Sequence, residues 1–380
     1  MKYRTMGKLG IRVSAFGLGC MRFNGAPSGD CACDEQKAVS LIRRAIDGGV
    51  TYIDTAWVYL NKTSEIVLGK ALRDGYREKV TIATKVPPDA VNSRADLKAI
   101  LEEELQKLQT DHIDFYLMHA MNRQKWEHMK EIGAPQFFDD MKKAGKIRYK
   151  CFSFHSSYED FEYILNDWDW DMVQIQYNFM DINNQAGTKG LELAGSKGIP
   201  VVIMEGLLGG RLASAPDNVQ ALYDAFPVKR SSVEWAFRWL CNHPEVAVVL
   251  SGCNEEDQID ENLRIFDTVE TGIMSTEELK LMDDVREAYI SRTKIGCTGC
   301  RYCMPCPNNV NIPGIFSAWN NFSLYNTDPK TDWQFGMIKN NNAGADNCIG
   351  CGACEAACPQ HLSIIENLQN AWRDLGQTEA

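Results

Sequence analysis

"GVTYIDTAWVY", residues 49–59, decides the fold. A helical pattern over 35–48 leads into it, "TYID" 51–54 is a short run with strand character, and the run ends on the carboxylate of Asp54, with Tyr59 in the loop beyond. The same helix-then-strand unit recurs in both directions. Strand patterns lie at "VSAFGLG" 13–19, "VTIATK" 80–85, "IDFYLMH" 113–119, "YKCFSF" 149–154, "MVQIQY" 172–177, "IPVVIME" 199–205 and "VAVVLS" 246–251. Helix-like segments fall near 35–48, 64–74, 93–108, 124–144, 158–166, 185–197, 231–242 and 255–266. Eight strands alternating with eight helices imply a parallel sheet with right-handed crossovers, and the number suits closure into an α/β (β/α)8 TIM barrel.

The chain has 380 residues, more than the roughly 250 of such a barrel, so a smaller appendage is expected. Ser93 with Asp96, Ser231 with Glu234 and Ser275 with Glu278 have capping-box spacing and mark helix starts. The helix after Ser275 is expected to pack on the barrel and end its domain, which gives a division into 1–293 and a small, mainly helical 294–380. In the second part "NNVNIPGIFSAWNNFSLY" carries a helical apolar stripe, "TDPKTDWQFGMIKNNNAGADN" reads as loop, and "LSIIENLQNAWRDLG" reads as an amphipathic helix.

Apolar residues at 44% and charged residues at 24% are ordinary for a globular chain. A net charge of −11 with no Lys/Arg-rich run argues against a nucleic-acid partner, which needs a basic face to displace counterions from phosphates. "MKYRTMGKLG" lacks the apolar core of a signal peptide, and no stretch approaches the ~18 apolar residues of a membrane span. A cytoplasmic protein with no membrane partner is expected. In such a reducing setting, closely spaced cysteines among the fourteen point to metal ligation rather than disulfides. Cys20, Cys31, Cys33, Cys151, Cys241 and Cys253 are scattered and read as small buried or partly exposed residues.

Chemistry in a barrel sits at the C-terminal ends of its strands. Asp54, Lys85 and His119 end three consecutive strand patterns, with Tyr59 in the loop after the first. Singly, each has a structural reading: a helix cap, a solvated lysine, a hydrogen-bonded core histidine, a packing ring. Their joint placement on adjacent strand ends points to a catalytic set.

On "GVTYIDTAWVY", "TIATK" and "DFYLMH", the first 270 or so residues resemble the aldo-keto reductase family. The resemblance implies a nicotinamide-dependent oxidoreductase, with NADH or NADPH delivering hydride to a carbonyl carbon and Tyr59 protonating the oxygen. Lys85 would lower the Tyr59 pKa, Asp54 would hold and balance Lys85, and His119 would orient the carbonyl. It further implies that Ser153 and Gln174 contact the carboxamide and that Met204 covers the nicotinamide where the family usually has an aromatic ring. Leu207, Ser251, Glu261 and Asn262 complete the implied nucleotide contacts. The family's two cations for the adenosine 2′-phosphate fall on Gly252 and Gln258, with Glu255, Glu256 and Asp257 between them. Either NADH is used or a residue such as Arg211 supplies the charge. "GLGCMR" 17–22 has two glycines of a G-x-G-x-x-G fingerprint but no third, and is set aside.

"CIGCGACEAACP" 348–359 is C-x2-C-x2-C-x3-C-P, the bacterial ferredoxin run for iron–sulfur clusters, and "CTGCRYCMPCP" 297–307 is one residue shorter. By resemblance to two-cluster ferredoxins, Cys297, Cys300 and Cys303 would join Cys358 on one [4Fe–4S] cluster. Cys348, Cys351 and Cys354 would join Cys306 on the other. A single filled cluster is the second choice, and paired zinc sites are a third.

The leading expectation is an oxidoreductase acting on a small-molecule carbonyl or alcohol, with clusters that transfer electrons or staple the small domain. Two alternatives stand beside it: a nucleotide-binding redox sensor with little turnover, and an electron-transfer protein working with a separate redox partner protein. No motif specifies the substrate or the oligomeric state.

Overall fold

The computed structural model describes residues 1–23 and 33–376. It opens with a short antiparallel pair, β1 (Tyr3–Thr5) and β2 (Arg12–Ser14). Eight strands follow: β3 (Phe16–Gly19), β4 (Tyr52–Asp54), β5 (Thr81–Val86) and β6 (Ile113–Met121), then β7 (Ile147–Phe154), β8 (Met172–Gln176), β9 (Val201–Met204) and β10 (Val246–Ser251). They close as a barrel in the order β10-β3-β4-β5-β6-β7-β8-β9, every neighbouring pair parallel. The expected (β/α)8 barrel is the fold.

One strand pattern divides. The 13–19 run contributes to both β2 and β3 because the chain turns a corner at Ser14. There Ser14 N donates to Thr51 Oγ1 at 2.8 Å, Thr51 N donates to Ser14 Oγ at 2.9 Å, and Ser14 Oγ donates to Phe16 O at 2.6 Å. These bonds satisfy backbone groups that leave the hairpin before joining the barrel. Met6 and Val13 of this hairpin region pack with the inward-facing Tyr52, Phe115, Leu117, Cys151 and Val248. Apolar side chains thus fill the barrel around the starts of the strands, leaving its polar interior residues nearer the C-terminal ends.

The surrounding helices follow from the expected cues. In Glu35–Asp47, Asp34 accepts a hydrogen bond from Lys37 N at 3.1 Å, and Ala38, Leu41, Ile42, Ala45 and Ile46 form the buried stripe. Ser93 caps Arg94–Leu108 by accepting from Asp96 N at 3.3 Å, while Asp96 Oδ2 accepts from Asn92 N at 2.9 Å. The 124–144 segment is two helices, Arg123–Glu131 and Ala134–Lys143, broken at Gly133 with φ 74°.

The described chain divides into two compact units: Met1–Gly209 with Glu234–Ser275, and Gly210–Val233 with the chain from Thr276 onward. Within the second unit the helices Asp217–Ala225, Thr276–Ile290 and Ile312–Tyr325 come together. Tyr289 lies 5.6 Å from Tyr325 between ring centroids, and Arg292 Nε donates to Ser323 O at 2.7 Å. The expected loop after 327 contains a helix, Trp333–Asn340. Asp332 caps it by accepting from Gln334 N and Phe335 N, and Phe335 and Ile338 are each 3% exposed. With Ile312, Ile315, Phe316, Trp319, Ile364 and Leu368 they form a core against which Cys297, Cys303, Cys306, Cys348 and Cys354 pack. Among the described residues, no helix is long and apolar enough to cross a membrane. Cys20, Cys151, Cys241 and Cys253 are buried and Cys33 is half-buried, whereas Cys31 lies outside the described residues.

Candidate functional site

Asp54 is the last residue of β4, and Lys85 is the inward residue near the end of β5. Lys85 Nζ donates to Asp54 Oδ1 at 2.6 Å and to Thr55 O at 2.6 Å, with Lys85 1% and Asp54 3% exposed. Burial alone would favour neutral lysine, but Asp54 and Tyr59 outweigh it and raise the Lys85 pKa, so the ammonium stays charged. Burial acts the same way on Asp54 and raises its pKa against the pull of Lys85.

Beyond β4 the chain turns sharply just after Tyr59, with Leu60 and Asn61 at φ 50° and 53°. Lys85 Nζ lies 4.9 Å from the Tyr59 ring centroid. His119, on β6, meets the same ring edge-on at 5.7 Å between centroids. Asp54, Lys85 and His119 from the strands and Tyr59 from its loop are therefore together.

Lys85 acts on Tyr59 in the expected direction but is not the largest influence. Lys85 does pull the Tyr59 phenol down, but burial is the larger effect, Asp54 and Glu205 add to it, and the net pKa is raised. Tyr59 is thus firmly protonated at neutral pH. His119 is pushed down to about 3, first by burial and then by the charge of Lys85, so its imidazole is neutral.

Ser153 lies on β7 and Gln174 on β8, each 1% exposed. Ser153 Oγ accepts from Ala120 N at 2.8 Å, which fixes the residue after His119 in its left-handed conformation, φ 50°. Gln174 Oε1 is buried with no hydrogen-bond partner among the described residues, an acceptor that a carboxamide NH2 would satisfy. Met204 ends β9, Leu207 lies in the loop beyond, and Ser251 ends β10. Glu261 and Asn262 lie on the helix Glu256–Phe266, where Asn262 Nδ2 donates to Ser251 Oγ and Cys253 Sγ, both at 3.1 Å. Gln258 Oε1 accepts from Asn254 N at 3.0 Å. Arg211, the alternative source of charge, has its Nη2 3.9 Å from Asp332 Oδ2.

Sequence reasoning passed over two residues at the barrel mouth. Glu205 follows β9 with φ 59°, its carbonyl accepting from Asn178 Nδ2 at 3.1 Å, and its carboxylate lies 3.6 Å from Arg22 Nη2. Arg22 belongs to the set-aside "GLGCMR", and only its spatial neighbours distinguish it.

In the second unit the two cysteine runs have matching backbones. Gly299 and Gly350, each just before the second cysteine of its run, have φ 68° and 69°, and the residues just after it, Arg301 and Gly352, have φ 65° and 76°. Such left-handed positions curl each loop around its thiols. A cavity of about 230 Å³ is lined by Cys348, Cys351 and Cys354 together with Cys306 and Cys303. A smaller one, about 20 Å³, is lined by Cys297, Cys300 and Cys303 together with Cys358. Each cavity is lined by three thiols of one run and the last cysteine of the other, with Cys303 lining both. Among the described residues, no group of three His, Cys, Asp or Glu side chains closes on a single-ion position.

Residues 15–287 match the aldo/keto reductase family and residues 296–363 match the 4Fe-4S dicluster domain. The aldo-keto reductase YhdN of Bacillus subtilis (strain 168) is 38% identical over 161 residues, which is 39% of this chain and 45% of that protein. The chain spans about half the length of the curated relatives it matches. Among solved structures, the holo form of aldo-keto reductase AKR11C1 from Bacillus halodurans superposes with a TM-score of 0.63 at 26% identity, over 75% of this chain and 96% of that one. An aldo/keto reductase from Klebsiella pneumoniae in complex with NADP and acetate gives 0.59 at 25% identity, over 75% and 96%. This chain belongs to the aldo/keto reductase family and carries a C-terminal 4Fe-4S dicluster domain.

Proposed function

We propose that the chain interconverts a small-molecule carbonyl and the corresponding alcohol with a nicotinamide cofactor. The observation that carries this is the buried Lys85–Asp54 pair beneath a protonated Tyr59, with a neutral His119 against the same ring. A nicotinamide cofactor held at the barrel mouth would supply the hydride for the carbonyl carbon. Tyr59 gives its phenolic proton to the oxygen, and the ammonium of Lys85 stabilises the phenolate left behind. Asp54 keeps Lys85 charged and fixed. His119 offers an N–H to the carbonyl oxygen without adding charge. Gln174 Oε1 and the hydroxyl proton of Ser153 suit a carboxamide at the barrel mouth, and Met204, Leu207, Ser251, Glu261 and Asn262 would hold the rest of the cofactor.

The same reading gives Cys297, Cys300, Cys303 and Cys358 one [4Fe–4S] cluster and Cys306, Cys348, Cys351 and Cys354 the other. The crossed lining of the two cavities supports it. Each cluster supplies a one-electron store and a covalent staple for the domain. A functional division after residue 293 falls between the two family matches, 15–287 and 296–363.

The test is oxidation of NADH and NADPH by the anaerobically purified protein across a panel of aldehydes and ketones. Carbonyl-dependent turnover is expected. Tight nucleotide binding with no turnover would support the sensing role instead.

A further inference from the structure

Gly252 and Gln258 are the two positions on which the family resemblance puts the cations for the adenosine 2′-phosphate. What fills the space beside Gly252 is the stem of Arg22. A Cβ placed on Gly252 would lie 3.4 Å from Arg22 Cβ and 3.6 Å from its Cγ and Cδ, ordinary van der Waals contact. The guanidinium continues toward the loop after β9, where Nη2 lies 3.6 Å from Glu205 Oε1 and 3.5 Å from the place a Cβ on Gly209 would take. Arg22 thus bridges the ends of β3, β9 and β10, the last two being where Leu207 and Ser251 stand.

Lys37 Nζ is bound to Glu255 at 2.6 Å, and Arg44 to Asp260 at 2.6 Å and Glu256 at 3.3 Å. The acidic turn of the Glu256–Phe266 helix is thereby paired by cations of the Glu35–Asp47 helix. Among the described residues Arg22 pairs with Glu205, at a separation too long for a hydrogen bond, and both side chains are partly exposed, at 26% and 32%. A contact of that kind is weak and readily exchanged. A diphosphate offers the same guanidinium two parallel charge-assisted bonds.

Building on the nicotinamide reading above, we propose that Arg22, supplied from the first βα loop, binds the cofactor's diphosphate, and that Glu205 occupies it until nucleotide arrives. The ligand chemistry is a nucleoside diphosphate shared by NADH, NADPH and ADP-ribose.

The experiment is calorimetric binding of these three ligands to the full-length protein at 50 and 200 mM salt, for wild type, Arg22→Gln, Arg22→Lys and Glu205→Gln, with melting temperatures alongside. Arg22→Gln should weaken all three ligands alike, by about 10- to 100-fold, and flatten the salt dependence at unchanged melting temperature. Arg22→Lys should recover part of the affinity, and Glu205→Gln should tighten binding several-fold. Unchanged affinity in Arg22→Gln overturns the proposal. So does a loss confined to NADPH, which would put the guanidinium on the 2′-phosphate. If the wild type binds ADP-ribose but neither nicotinamide nucleotide, the functional reading fails while a diphosphate role for Arg22 is still read from the ADP-ribose data.

Discussion

Lys85 Nζ and Asp54 Oδ1, on neighbouring strands, are 2.6 Å apart and almost wholly out of solvent. Removing one member of such a pair strands the other charge. Asp54→Asn and Lys85→Met are each expected to cost about 3–5 kcal/mol in stability and to abolish most activity. The double variant should regain part of the stability without the activity, which chemical denaturation and rate assays on the same preparations would read. Single variants as stable as wild type would show that the pair is not held as described.

The ionisation of the site sets its pH profile. With the His119 pKa pushed down to about 3, its imidazole is neutral across the working range. The Tyr59 phenol is raised above its ordinary value and keeps its proton. Carbonyl reduction should therefore show no limb near the ordinary histidine pKa of about 6.5. Rate against pH for wild type and His119→Gln checks this. A limb near 6.5 that vanishes in the variant contradicts it.

Away from the site, Glu65 accepts from Thr84 Oγ1 at 2.6 Å and lies 3.6 Å from Lys107 Nζ, yet burial lifts its pKa to about 7. The unfolded carboxyl ionises near its ordinary 4.5. Between those values the folded state holds the extra proton, so stability falls as pH rises from about 4.5 to about 7 and then levels. Glu65→Gln should raise the melting temperature relative to wild type at pH 8, by about 2–4 °C, and not at pH 4.5. A gain of the same size at both pH values would remove Glu65 as the cause.

The crossed thiol sets predict distinct lesions. Wild type purified without oxygen should carry about eight iron and eight sulfide per chain, and Cys358→Ser or Cys306→Ser about four of each. Cys358→Ser should leave the EPR signal of the cluster bound by Cys348, Cys351 and Cys354, and Cys306→Ser the signal of the other. If both variants retain the same signal, the crossing is wrong.

The barrel was legible because its strands are continuous β-rich runs and its helices carry a regular buried stripe. Asp54, Lys85 and His119 could be picked out because the ends of those runs locate the catalytic face. What the sequence hid depends on distant neighbours. Ser14 turns the chain through bonds to Thr51. The Trp333–Asn340 helix is masked by Asn- and Gly-rich flanks, and burial of Phe335 and Ile338 decides it. Lys85 predicts a lowered Tyr59 pKa when charge alone is considered, and burial reverses the sign. Arg22 sits in an unremarkable motif and gains meaning only beside Gly252.

The most direct test of the central claim is the rate of carbonyl-dependent NAD(P)H oxidation by Tyr59→Phe. The substitution keeps the ring against His119 and over Lys85 and removes only the transferable proton. A loss of at least ~10²-fold at unchanged nucleotide affinity is predicted, the low end of what a positioned acid contributes. Equal rates in wild type and variant would contradict the account.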